Sequence, residues 1–97
     1  MSKWLVERKL SEAGERLRQL RADLGVVDEQ LAHFADAADD ARLRAMVSET
    51  PMADREHRDA QKHADAMARH RAELVTQITE LQRSQDELLE RLFAEQS

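Results

Sequence analysis

Four histidines, His33, His57, His63 and His70, are the residues in this chain with the widest chemical repertoire. His57 closes Asp54-Arg55-Glu56-His57, which has the i,i+3 spacing that brings a carboxylate and an imidazole to one helix face. His63 and His70 share a face one heptad apart. Di-iron helical bundles need more: a Glu-x-x-His motif from each of two helices and two further glutamates facing them. This chain has one Asp version and no second copy, so no metal site and no cofactor are expected. Surface or flanking histidines are the simpler reading, with weak metal binding by His57, His63 or His70 the one form left open.

Nucleophilic chemistry fares no better. Ser48 and Thr50 lie about two helical turns from His57, and helix capping accounts for both hydroxyls. There is no cysteine, no glycine-rich phosphate loop, no Walker lysine and no dinucleotide fingerprint. No catalytic residues are therefore expected, and the chain is read as a non-enzyme.

The elements that carry these residues follow from composition and spacing. Ala, Glu, Lys, Leu and Arg make up more than half of the 97 residues, with 3% aromatics, two glycines and one proline. That mixture suits long helices and coiled coils and is foreign to sandwiches, barrels and doubly wound sheets. The net charge of -5 comes from interleaved signs without a basic stripe, so no nucleic-acid partner is expected. No apolar run approaches the ~18 residues of a membrane span, and the start, Met1-Ser2-Lys3-Trp4-Leu5-Val6, lacks the apolar core of a signal peptide. A cytoplasmic protein without membrane contact is the expectation.

The one strong break is Ser48-Glu49-Thr50-Pro51. Proline is costly inside a helix but suits its first position, behind a threonine N-cap. Asp54 and Glu56 then fall where the helix dipole favours acids. The spacing predicts a helix over about 4–47, a turn at 48–50 and a helix over about 51–94, together a single helical-hairpin domain over 1–97.

Each helix carries a seam with spacings of four and three residues, sustained well beyond the three to four heptads that define a coiled coil. The first runs Val6, Leu10, Ala13, Leu17, Leu20, Leu24, Val27, Leu31, Phe34, Ala38, Ala41, Ala45. The second runs Ala53, His57, Ala60, Ala64, Met67, Arg71, Leu74, Ile78, Leu81, Gln85, Leu88, Leu92. With a tight turn between them, facing residues have numbers summing to about 98. Small then faces small near the turn (Ala45 with Ala53, Ala38 with Ala60) and large residues meet further out (Leu24 with Leu74, Leu20 with Ile78). The fold class is all-α: an antiparallel two-helix coiled-coil hairpin, expected to dimerise into a four-helix bundle.

Polar members interrupt the second seam. Arg71 falls opposite Val27, within a turn of Asp23 and Asp28, where an ion pair would fix register. Gln85 opposite Ala13 is a second candidate for that role. Surface support is expected from i,i+4 pairs such as Glu12–Arg16 and Asp65–Arg69.

Two apolar groups lie off the seams. Trp4, Leu5, Val26, Val75, Leu89 and Phe93, with Ala68 and Ala72, form a broken second stripe, read as a self-association surface because two helices alone make a thin core. Leu43, Met46, Val47 and Met52 gather at the turn among Asp36, Asp39, Asp40, Glu49, Asp54 and Glu56. They read either as a local staple closing the turn or as a partner-docking tip in which flexible methionines fit a groove.

A long antiparallel hairpin with an acidic tip is similar in architecture to the coiled-coil arm of Gre-type transcription factors. Those arms carry an Asp-x-x-Glu-type tip, which Ser48-Glu49-Thr50-Pro51 does not reproduce, so no residue role transfers. The functional expectation is a non-enzymatic adaptor or scaffold working by self-association, a homodimer. The alternative is a regulator that inserts its acidic, Met-containing tip into a larger machine.

Overall fold

The computed structural model describes residues 2–96, with the side chains of residues 2–94. Helix α1 spans Lys3–Ser48 and helix α2 spans Pro51–Gln96, 46 residues each. The two form an antiparallel hairpin, and no strand occurs among the described residues.

Local chemistry sets both helix starts. Ser2 caps α1: its Oγ accepts from the Leu5 amide at 3.3 Å, and its carbonyl accepts from the Val6 amide at 3.1 Å. Thr50 does the same for α2, its Oγ1 accepting from the Ala53 amide at 3.2 Å and its carbonyl from the Asp54 amide at 3.1 Å. Each cap satisfies an amide that has no partner inside its helix. Pro51 opens α2, where its missing N–H costs nothing.

The end of α1 differs from the usual pattern. Glu49 donates to the Ala45 carbonyl at 3.1 Å and then turns left-handed, with φ of 51°. Glycine normally holds that position because a Cβ is crowded there. With a glutamate instead, the turn is made by an unfavoured residue, and the Thr50 cap and Pro51 complete the stop.

The hairpin divides into two compact units. Unit 1 joins Met1–Leu24 with Leu74–Ser97, and unit 2 is the turn segment Gly25–Glu73. In unit 1 the buried core is Val6, Ala13, Leu17, Leu20, Leu74 and Leu88. Leu10, Leu24, Ile78, Leu81, Gln85 and Leu92 are half-buried around it. In unit 2 the core is Val27, Ala38, Ala41, Ala45, Ala53 and Ala64. Leu31, Phe34, His57, Ala60, Met67 and Arg71 are half-buried there. Every one of these residues belongs to the two heptad seams.

Cross-helix contacts fix the register within each unit. Asp28 accepts from Arg71 Nε, Phe34 stacks on His63, and a Cβ on Gly14 would meet Gln85 Nε2 at 4.0 Å. Each contact lies one residue from the pairing that a sum of about 98 requires. The unit 2 core is made almost entirely of alanines, which lets the backbones approach closely beside the two-residue link.

Candidate functional site

The polar seam residues occupy their expected places. The Arg71–Asp28 pair spans the two helices at the edge of the unit 2 core, both side chains a little under half exposed. Solvent at that level screens the pair, so its contribution to stability is small. Its geometric effect is to tie the two helices at one level of the register. Gln85 lies beside the open backbone at Gly14 in unit 1.

The histidines are dispersed along the two helices. His33 meets Phe34 edge-on at 5.7 Å between ring centroids, and Phe34 stacks on His63 at 5.9 Å and 25°. Both imidazoles are exposed flanks of one half-buried phenyl ring, which explains them as packing residues. His70 Nδ1 stands 4.0 Å from Glu73 on its own helix. His57 is half-buried on the seam. Among the described residues, no three His, Asp or Glu side chains converge as a metal site.

Two of the acids expected in surface ion pairs take other partners. Glu12 meets Arg8 at 3.2 Å rather than Arg16, and Asp65 accepts from Gln61 Nε2 at 2.9 Å. In both cases the partner is one turn towards the N-terminus. For Glu12 there is a reason: the Arg8 guanidinium already sits 5.5 Å above the Trp4 ring. A cation held by a π face is pre-positioned for the carboxylate.

The off-seam apolar residues stay in solvent. In unit 1, Trp4 is 64% and Phe93 66% exposed, with Val75 and Leu89 near two-fifths and Leu5 half-buried. In unit 2, Val26 is exposed, as are Leu43, Met46, Val47 and Met52 at the turn. Val47 reaches 86%. Met46 Sδ accepts a long hydrogen bond from Arg42 Nη1 at 3.9 Å, on its own helix. Asp39, Asp40, Glu49 and Asp54 are exposed around them.

Two open grooves in unit 1, of about 430 and 310 Å³, were not anticipated. They meet at Arg16, Leu81 and Ser84. Lys9, Glu87 and Arg91 rim the larger one, and Glu80 and Gln77 the smaller. The available signal was columnar: 9 with 16, 80 with 87, and 77 with 84 and 91 repeat at heptad spacing beside the seams. Such polar columns are ordinary in solvated helices, so they do not attract notice in a sequence.

No helix among the described residues is long and apolar enough to cross a membrane. Comparison with protein-family models, with curated proteins and with solved structures returned no match.

Proposed function

We propose that this protein is a non-enzymatic coiled-coil scaffold of the cytoplasm that works through protein–protein contacts and associates with itself as a homodimer through unit 1. The observation that carries the reading is the exposure of Trp4 and Phe93, the two largest off-seam side chains, alongside Val75 and Leu89 in the same unit. A hairpin buries one stripe of each helix and leaves such residues to water unless another surface covers them. A second copy is the economical cover, because it also doubles a core that is only two helices thick.

Light scattering on the purified chain tests this. Wild-type protein is expected at the mass of two chains at micromolar concentration. Leu89→Glu with Phe93→Glu should weaken association at least tenfold without loss of helix content, since a charge in an apolar interface has no partner there. A wild-type monomer at 100-fold higher concentration rejects self-association.

A second reading draws on unit 2. The exposure of Met46, Val47 and Met52 on both sides of the turn favours a docking tip over a closed staple, which would have packed these side chains together. In this reading the protein is a regulator whose acidic tip enters a cleft of a larger assembly. Affinity capture with intact protein and with a Met46→Asp, Met52→Asp variant is the measurement. Loss of one specific partner at unchanged oligomeric state supports the regulator, and an identical set of captured proteins removes it.

A further inference from the structure

The link between α1 and α2 holds two opposed features. Only Glu49 and Thr50 lie between the helices, and Glu49 is left-handed with φ of 51°. A glutamate gains by leaving that conformation for a helical one, since it is a good helix former. Short strained hinges invite exchange of identical elements between copies. Here α1 and α2 have equal lengths. The α1 of one copy can meet the α2 of another through the same residue pairs, Arg71–Asp28 included, once the link absorbs the rotation set by the eight-residue step from Ala45 to Ala53.

Two features oppose that opening. The Thr50 hydroxyl caps α2 through the Ala53 amide, a bond that a continuous helix gives up. Pro51 is the stronger barrier. In a helix running through the link it has no N–H to donate to the Val47 carbonyl, and its ring collides with that same oxygen.

We propose that Thr50-Pro51 is the lock that commits the chain to a closed hairpin, and that a second copy of the chain takes the place of its own second helix when the lock is removed. The proposal is independent of dimerisation through unit 1, because it concerns which helix fills each seam and not how many hairpins associate. Removing proline's interior penalty should favour the open form by about a hundredfold per chain.

The test reads distance within one chain. Gln30 and Arg69 are exposed on opposite helices of unit 2, at matching levels of the register. Cysteines there carry spin labels without competition, since the chain has none of its own. Labelled protein is unfolded and refolded with excess unlabelled protein of the same variant, so that only intrachain pairs are read. In the closed hairpin the labels lie within about 20 Å, given helix axes 8–10 Å apart. In a continuous helix they lie about 58 Å apart at 1.5 Å per residue.

Wild type is expected to give the short distance. Thr50→Ala with Pro51→Ala should give the long one at about 100 µM. Adding Glu49→Gly to that pair should restore the short distance, because glycine accepts the left-handed turn and weakens a continuous helix. Pro51→Ala alone, with the cap kept, should give both distances, the long one growing with concentration. A short distance in the Thr50→Ala, Pro51→Ala variant at full helix content overturns the proposal. So does a long distance that Glu49→Gly fails to shorten.

Discussion

Leu20→Ala is expected to cost about 2–5 kcal/mol, the range for deleting a buried leucine whose surroundings relax only in part. Leu20 is 2% exposed, inside the unit 1 core with Leu17, Leu74 and Leu88. Small domains hold roughly 5–15 kcal/mol in total, and a thin two-helix core belongs at the low end. The variant should therefore lose a third or more of its stability, read as a shift in urea midpoint by circular dichroism. The lost side chain also widens the smaller groove, which Leu20 lines with Leu81. If the midpoint stays within the shift produced by a surface control such as Gln19→Ala, Leu20 is not in the core.

Ala41→Leu carries the opposite error of packing and should cost about 1–3 kcal/mol through overfilling. Ala41 is 2% exposed, and the layers around it are built from Ala38, Ala45, Ala53 and Ala64. The half-buried His57, at the facing level of the register, is the one large side chain beside Ala41, so the added atoms must displace its imidazole or push the backbones apart. The effect should be local. Amide exchange is expected to accelerate in unit 2, around residues 38–60, before it accelerates in unit 1. Uniform acceleration, or none, contradicts the alanine-layer description.

Much of this architecture is legible in the sequence because one physical demand repeats. A helix that must bury a stripe places apolar residues every three to four positions, and nothing else in a polar chain imposes that spacing. The seams therefore hold the buried core and the half-buried polar exceptions His57, Arg71 and Gln85, while Leu5, Asp23 and Ala37 are half-buried beside them. Thr50-Pro51 marks the turn because proline's geometry admits few other readings.

What the sequence hides has equally specific causes. The left-handed turn at Glu49 carries no signal, since glycine is the residue that announces such a position and it is absent there. The choice of Arg8 over Arg16 by Glu12 depends on rotamers and on the Trp4 ring, at energies of a few tenths of a kcal/mol that spacing does not resolve. The grooves beside Arg16 and Ser84 are lined from both helices, so they are visible only once the two helices are set in register. The surfaces proposed for association follow from what the seams leave uncovered, so they inherit the register and fail with it.

The register is therefore the claim to test most directly. Spin labels at Ala22 and Thr76, exposed positions beside Leu24 and Leu74, report it in the wild-type chain diluted with unlabelled protein. The hairpin predicts a single intrachain distance within about 20 Å, set by helix axes 8–10 Å apart. A chain that remains one extended helix puts the same labels about 80 Å apart at 1.5 Å per residue. That long distance as the only intrachain population contradicts the hairpin, and both proposed surfaces fall with it.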